Sequence, residues 1–563
     1  MTTPQSIVPL AAWLDPERVF CGWAHRFENA FWLDAGPGAT SGRSWVGIGE
    51  SVASTVVEQV VVRGSVAEDD SRSDERGPRP GGWVGWFGYD GGARRAGAPS
   101  LSDADDETRW MRVRAVVEFD HATSRATVFA GGDARELATE LAALPHPGAV
   151  GEPTPVVASS RHDAATYAAL IEQCREQIRQ GNAYQLCLTT RFEVEGAVDA
   201  VAAYRRLRRG VSAHHGGFVR IADRALLSAS PEQFLNVDRG RVRTHPIKGT
   251  RPRSADSVID AELAEDLRTD VKERAENVMI VDLMRNDLSR ICEIGSVTVE
   301  RLFDVESYPA VHQLVSTVAG NLFPGLEVGE LLGATFPAGS MTGAPKLWAM
   351  RFLENNEKSP RAWYGGAIGM VNFNGDMNTG LTLRTTRIKN GVAEIRAGAT
   401  LLFDSDGKAE EAETHLKASA LIDAIRRPND PKDTTNSGDI IIGPGDGLRI
   451  LMIDHQDSFV HTLASYLRET GAVVATLRSG FGPDVLAEEA PDLVVLSPGP
   501  GLPEDFDLTT TIGHALSLNL PIFGVCLGLQ GLVEYFGGAL ETLGYPMHGK
   551  PSVVHSLGGA LFK

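Results

Sequence analysis

The sequence has little cysteine and no pattern that would use it. Five cysteines in 563 residues (Cys21, Cys174, Cys187, Cys292 and Cys526) stand far apart without a CxxC pair. That spacing excludes a disulfide framework and a cysteine-built zinc site, and predicts a reducing, cytoplasmic setting. No apolar run approaches the roughly 18 residues of a membrane span. The opening MTTPQSIVPLAAWLDPERVF is not basic, and its apolar run breaks at Asp15 and Pro16, so no targeting leader is expected. Positive charge is also scarce: 54 Lys and Arg face 73 Asp and Glu, a net charge of −19. Such a surface repels nucleic acid and anionic membrane, and an anionic substrate would need a locally positive pocket. What is present is ordinary globular composition, 42% hydrophobic and 23% charged, over a length of roughly three or four domain-sized units.

Two stretches read as linkers. Residues 67–82 (AEDDSRSDERGPRPGG) form a polar excursion inside the first domain, and residues 427–446 (RPNDPKDTTNSGDIIIGPGD) form a domain boundary. Before that boundary, RVRAVVEFD and RATVFA alternate like strands of a half-exposed antiparallel sheet. Residues 163–180 and 261–288 carry the 3–4 apolar spacing of helices. Strands and helices mix without a βαβ rhythm, which predicts a layered α+β fold with antiparallel sheets. After the boundary, LRILMID, a helix around 458–470, VVATLRS, PDLVVLSPGPG and PIFGVCLG alternate as in an α/β open parallel sheet of Rossmann-like type.

Cys526 follows a strand and precedes a helix in PIFGVCLGLQ, a turn that would expose its thiol and favour the thiolate. Taken alone, a cysteine in such a place is more often a buried structural one. A second post-strand turn, SPGPG at 497–501, offers backbone N–H groups to an oxyanion. The words DHQDSF, LSPGPGLP, GVCLGLQ and MHGK, in this order, resemble the class I glutamine amidotransferases. The resemblance implies that Cys526 forms a glutamyl thioester, that Gly499 and Leu527 supply oxyanion N–H groups, and that Gln530 contacts glutamine. One departure is marked. The family's downstream histidine and glutamate words, RYHS and HPE, are missing before Lys563, and His548 and His555 match neither. The amidotransferase segment is therefore expected to be C-terminally incomplete and to lack its base for acyl transfer.

In the earlier region, Glu273 and Glu276 stand three apart in KERAEN, and Glu410 and Glu413 repeat the spacing in EEAET. Each pair shares a helix face. They are either solvated surface acids or ligands converging on a hard cation such as Mg²⁺. The words SASPEQFL, HPIKGTRPR, DVKERAENVMIVDLMRNDLSRIC, FPAGSMTGAPK, WYGGAIG, NGDMNTGLTLRT and EEAETHLKA resemble, in order, the chorismate-utilising enzymes. That family includes anthranilate, aminodeoxychorismate, isochorismate and salicylate synthases. Agreement runs from about Tyr167 to Leu421 and is weaker before it, at FWLDAG. The domains expected are an N-terminal synthase subdomain at 1–160, a chorismate-binding catalytic domain at 161–426, the linker 427–446, and the amidotransferase segment 447–563.

The resemblance implies that Glu276 and Glu410 bind Mg²⁺, with Glu273 and Glu413 assisting through waters. Tyr364, Arg384 in the strand-like LTLRTT, Gly398 and Lys417 would hold the substrate. Glu232 would be a general acid or base whose pKa burial raises. His312 and Ser340 would complete the pocket. In AGATLLFDSD, Thr400 stands where the family usually has glycine.

Two positions separate the family's members by chemistry. Gln185 in AYQLCL occupies the place of a water-activating lysine in the isochorismate and salicylate branch; a neutral amide cannot act as that base, so ammonia remains as nucleophile. Lys248 in HPIKGT resembles the aminodeoxychorismate type, whereas anthranilate synthases resemble PIAGT. Its amine is either a covalent nucleophile or a partner of a substrate carboxylate. Domain order points the other way, toward fused anthranilate synthases or aminodeoxyisochorismate synthases, although no LLES-like tryptophan-feedback word is found near the N-terminus. The expected activity is Mg²⁺-dependent amination of chorismate to 4-amino-4-deoxychorismate, using ammonia from glutamine. The alternatives are anthranilate or aminodeoxyisochorismate synthesis. The C-terminal segment could instead be a docking or vestigial module, with a separate amidotransferase subunit or free ammonia feeding the synthase.

Overall fold

A computed structural model describes residues 6–541 except 38, 64–76, 100–106, 149, 151–157, 195, 197, 212–214, 255–256, 309–310, 404, 426–444, 446–447, 456–459, 461–462, 465–466, 468–469, 471, 483 and 500. The chain divides into two compact units, Met1–Asn429 and Asp430–Lys563.

In the first unit two antiparallel sheets diverge from one long strand, Arg109–Asp120. One edge of that strand pairs with Trp83–Phe87 in its first half and with Arg125–Ala130 in its second. The other edge is covered by Arg43–Val52. The first sheet continues through Ala30–Asp34, His215–Ile221, Arg224–Ser230, Thr385–Lys389 and Val392–Leu401 to Gln185–Val194. The second runs from Trp83–Phe87 through Ala367–Val371, Met377–Leu381, Gln233–Asp238 and Arg241–Thr244 to Val311–Asn321, which also takes Ile247–Pro252 and Thr298–Ser307. Strands from before and after residue 160 are thus interleaved in both sheets.

The two-residue period of the strands sorts their side chains between two cores. Phe31, Val219 and Leu226 face Trp86, Leu235 and Met370 of the second sheet. Their neighbours Trp32, Phe218 and Leu227 pack against Phe20 and Trp23 of helix Pro16–Arg26, Tyr204 of Ala200–Gly210 and Leu421 of Gly407–Ile425. The first sheet is therefore covered on both faces. This corrects the half-exposed reading of RVRAVVEFD, where Val116 enters one core and Ala115 and Val117 the other.

The helix expected at 163–180 is Ala164–Arg179, capped by the Asp163 carboxylate, which accepts from the Thr166 amide at 2.7 Å. The long helix expected at 261–288 is instead two, Ser257–Thr269 and Val271–Ser289. Asp270 breaks it: its side chain accepts from the Glu273 amide at 2.9 Å and starts the second helix afresh.

The second unit holds four parallel strands in the order Val473–Arg478, Arg449–Asp454, Leu493–Leu496, Ile522–Gly524. One face packs Leu451, Ile453 and Leu496 against Leu508, Ile512 and Leu527, and the other packs Ile450, Met452 and Val495 against Val460 and Ala464. The expected linker 427–446 and helix 458–470 lie largely outside the described residues, and the word MHGK lies wholly outside them. Among the described residues no helix is long and apolar enough to cross a membrane.

Candidate active site

Glu232 sits at the turn between strands Arg224–Ser230 and Gln233–Asp238. It is only 7% exposed, and its carboxylate accepts from the Ser340 hydroxyl at 3.1 Å. Burial pushes the carboxyl up to about 7, against the Lys248 ammonium, the Ser340 hydroxyl and the Ile247 amide, which all favour the ionised form. Ser340 comes from the short helix Gly339–Thr342.

Lys248 reaches the same place from strand Ile247–Pro252. The register of that strand breaks between Ile247 and Thr250, so Lys248 and Gly249 form a bulge that re-aims the lysine. Gly249 has φ +81°, and a Cβ there would stand 3.0 Å from the Glu273 carboxylate. This explains the glycine in HPIKGT. Lys248 Nζ donates to Thr400 Oγ1 at 3.3 Å. Its charge acts on both Glu232 and Glu276.

Burial raises the Glu276 pKa; the neighbouring Glu273 and Glu410 raise it further, while Lys248 and Lys272 oppose. The two helices Val271–Ser289 and Gly407–Ile425 thus bring Glu276, Glu273 and Glu410 into one electrostatic neighbourhood. Glu410 accepts from Ser405 Oγ at 2.8 Å, Glu273 lies 3.6 Å from Arg251, and Glu413 pairs with Lys417 at 3.0 Å. Among the described residues no three His, Cys, Asp or Glu side chains stand close enough together to hold a metal ion.

Lys417 also donates to the Gly398 carbonyl at 3.3 Å. Arg384 is not within a strand. It occupies the interruption between Met377–Leu381 and Thr385–Lys389 with φ +44°, because the chain must switch there from the second sheet to the first. The residue is exposed, yet protein atoms crowd around its guanidinium. That burial lowers its pKa, against Glu413 and the fully enclosed Tyr364. Arg384 makes no side-chain hydrogen bond or ion pair among the described residues, which leaves a guanidinium available to an anion.

Gln185 is 1% exposed, and neither its amide nitrogen nor its amide oxygen has a hydrogen-bond partner. An unpartnered buried amide is costly in a closed structure, so a water or a polar ligand group is expected against it. His312 is placed differently. Its Nδ1 meets Ser307 Oγ at 2.8 Å and its Nε2 meets Asp260 Oδ1 at 2.9 Å, so both ring nitrogens are engaged away from Glu232 and Lys248.

Behind the site lies a buried ion cluster that sequence spacing did not reveal. Arg361 donates to both Glu357 oxygens at 2.9 and 2.6 Å, to the Met341 carbonyl at 2.5 Å and to the Cys187 carbonyl at 2.7 Å. Arg396 joins the same carboxylate at 3.3 Å. This bracket ties the Ser340 turn to the strand carrying Gln185. A separate cavity of about 480 Å³, lined by Asp34, Pro37, Arg43, His215, Met370 and Asn378 among others, contains none of the predicted site residues.

In the second unit Cys526 sits between strand Ile522–Gly524 and helix Leu527–Tyr535 with φ +53°, and it is exposed. The turn is crowded as expected: a Cβ on Gly524 would stand 2.5 Å from the Gly528 carbonyl carbon, and one on Gly528 would stand 2.4 Å from the Leu496 oxygen. Gly499 abuts Leu527, with a Cβ there only 2.5 Å from Leu527 Cδ2, so the SPGPG turn reaches the elbow. Gln530 lies exposed on the helix, its backbone amide on the Cys526 carbonyl at 3.0 Å. His455 carried no expectation beyond its place in DHQDSF. It is buried beside Gly499, with Nδ1 against Ser497 and Nε2 without a partner, and burial lowers its pKa.

Residues 28–423 match the chorismate binding enzyme family, and residues 451–563 match the glutamine amidotransferase class-I family. The chain is 48% identical over 407 residues to an anthranilate synthase of Azospirillum brasilense, covering 71% of this chain and 55% of that protein. It is 38% identical over 348 residues to aminodeoxychorismate synthase component 1 of Klebsiella aerogenes, covering 61% and 77%. The chain spans about half the length of several such relatives. The crystal structure of anthranilate synthase component I from Streptococcus pneumoniae superimposes with a TM-score of 0.57 at 27% identity, covering 75% of this chain and 92% of that one. The match across the first unit, with the mixed fold and large antiparallel sheets that carry it, means that the chain belongs to the chorismate binding enzymes.

Proposed function

We propose that this chain aminates chorismate at C4 to give 4-amino-4-deoxychorismate, using ammonia drawn from glutamine or supplied free. The observation that carries the reading is the Lys248 amine, aimed by its bulge into the space shared with Glu232, Glu276 and Thr400. The Lys248 ammonium first passes its proton to the Glu232 carboxylate, and the free amine adds at C2 of the ring. The ring double bonds shift, and the C4 hydroxyl leaves as water with a proton from the neutral Glu232 carboxyl. Ammonia then adds at C4, the double bonds return, and the lysine amine leaves C2. Arg384 and Lys417, with the Tyr364 hydroxyl, hold the two substrate carboxylates, and the buried Gln185 amide faces the ring without activating water.

The acidic neighbourhood fits Mg²⁺ in chemistry. Its donors are all carboxylate oxygens, and Glu276, which has no hydrogen bond or ion pair among the described residues, is crowded by like charges. Glu276 and Glu410 would hold the ion directly, with Glu273 and Glu413 assisting through waters. When bound, the ion supplies Lewis-acid stabilisation at the ring carboxylate and the departing hydroxyl.

A second reading, anthranilate synthesis, is favoured by the 48% identity to the Azospirillum protein. Lys248 would then pair with a carboxylate while ammonia adds directly at C2. The experiment is product analysis by chromatography and mass spectrometry with chorismate, Mg²⁺ and ammonium, on the wild type and on Lys248→Ala. The first reading expects 4-amino-4-deoxychorismate from the wild type and its loss in the variant. It also expects an intact-protein adduct, without ammonia, on the wild type alone. Anthranilate as the main wild-type product refutes it. A separate amidotransferase subunit, if one feeds the synthase, would raise glutamine-driven turnover on addition.

A further inference from the structure

We infer that Thr400 is a positioning residue for Lys248, and that its hydroxyl sets where the lysine amine stands over the ring; the inference rests on the C4-amination reading above. Three observations lead to it. Lys248 Nζ makes one hydrogen bond among the described residues, and its acceptor is Thr400 Oγ1 at 3.3 Å. The strand Val392–Leu401 pairs with Gln185–Val194 so that Thr400 lies opposite Cys187, and Leu401 opposite Leu186. Leu186, Leu188, Ala399 and Leu401 fill the core on one side, so Gln185, Cys187 and Thr400 occupy the other. Thr400 therefore shares its face with the unpartnered Gln185 amide.

The third observation concerns what else could hold the lysine. Its backbone lies in a bulge where the strand register is broken, so the ladder does not fix its direction. Glu232 and Glu276 act on it only through space, from different elements, and would pull the flexible four-carbon stem toward either carboxylate. The Thr400 hydroxyl resolves that competition. Being β-branched on a paired strand, it has few side-chain rotamers and presents its oxygen at a fixed point. The chemistry needs the amine within reach of C2 and away from full ion pairing, because a reacting atom displaced by about 1 Å costs roughly 10²-fold in rate.

The test uses the full chain with chorismate, Mg²⁺ and ammonium, following products by chromatography and mass spectrometry. Thr400→Val keeps the shape and removes the acceptor. It should lower kcat for C4 amination about tenfold or more, leave KM for chorismate within about twofold, and raise the share of C2-aminated product. Thr400→Ser keeps the oxygen and should return kcat to within about threefold of the wild type. On a Lys248→Ala background, Thr400→Val should have no further effect on C4 product. Circular dichroism of each variant reads folding separately. Wild-type kinetics for Thr400→Val, with C4 amination lost in Lys248→Ala, would overturn the inference and leave the C4 reading standing. Equal losses in Thr400→Val and Thr400→Ser would also overturn it, since putting the oxygen back would then restore nothing. C4 amination that survives in Lys248→Ala would bring down both.

Discussion

Glu232 offers a test in which stability and catalysis respond in opposite directions. Burial moves its carboxyl from 4.5 to about 7. At about 1.4 kcal/mol per unit, ionising it inside the fold costs about 3 kcal/mol relative to the unfolded chain. The sign follows from proton counting. Between pH 4.5 and 7 the folded protein holds this proton while the unfolded chain releases it. Raising the pH therefore erodes stability through that window, and the whole cost is present above 7. Glu232→Gln is neutral at every pH and keeps an oxygen for the Ser340 hydroxyl, so it should match the wild type near pH 4.5 and exceed it at pH 8. For a unit of this size 1 kcal/mol moves Tm by about 2 °C or less, so the expected gain at pH 8 is a few degrees. The assay is thermal unfolding of both proteins at pH 5 and pH 8, in EDTA and without chorismate. Catalysis should fall by about 10²-fold or more in the same variant, because an amide cannot donate the proton. A Tm difference of the same size at both pH values would refute the reasoning, since the burial penalty would then not be a penalty on charge.

Glu276→Gln and Glu410→Gln should each cut turnover by about 10²-fold or more, and EDTA should abolish wild-type turnover until Mg²⁺ is returned; full activity in EDTA would exclude the ion. Cys526→Ser removes the thiol and with it any turnover driven by glutamine, while turnover driven by ammonium at alkaline pH should stay at the wild-type level; loss of both in steady-state assays would place Cys526 in the synthase reaction itself. Gly249→Ala should destabilise by about 1 kcal/mol or more and raise KM for chorismate, since its methyl would meet both Leu267 and the Glu273 carboxylate in a left-handed backbone; an unchanged melting curve would argue that the bulge relaxes freely.

Much of the fold was legible where the signal is local. The helix capped by Asp163 and the strands at RATVFA and LRILMID follow from capping chemistry and periodicity within a few residues of themselves. The break at Asp270 was present in the sequence as well, but helical periodicity on both sides hid a cap in the middle. The double-sided burial of Arg109–Asp120 was not legible. Its partners Trp83–Phe87 and Arg43–Val52 are settled by pairings across the chain, such as Phe87 with Ala367, and alternation within one strand does not report them. The site shows the same division. The motifs nominated Glu232, Lys248 and the glutamate pairs, and the rise of the Glu232 pKa follows from burial as expected. The bulge that aims Lys248 depends on register, and the Thr400 oxygen that meets it comes from 152 positions away; Arg361 and Glu357 are only four apart, but their ties to Arg396 and to the Cys187 carbonyl reach 39 and 174 positions along the chain.

The local charge balance makes one further demand. Around the proposed ring site stand Lys248, Arg384 and Lys417, brought by three separate elements, and against them Glu273, Glu276, Glu410 and Glu413. Arg251 lies by Glu273, and Glu413 spends its charge on Lys417. A substrate with two carboxylates entering this setting meets little net attraction, in a protein whose overall charge is −19. A divalent cation among the glutamates changes the balance by two, so cation and substrate should bind cooperatively. By linkage, the factor by which Mg²⁺ tightens chorismate must equal the factor by which chorismate tightens Mg²⁺. Isothermal titration of chorismate with and without Mg²⁺, in the absence of ammonia and with Lys248→Ala to prevent addition, should show at least a tenfold difference. Glu276→Gln should shrink that difference and bring chorismate binding without Mg²⁺ closer to the wild-type value with it, because removing a carboxylate does part of the work of the ion. Tight chorismate binding in EDTA, unchanged by Glu276→Gln, would mean that the carboxylates of the substrate never approach the glutamate pairs.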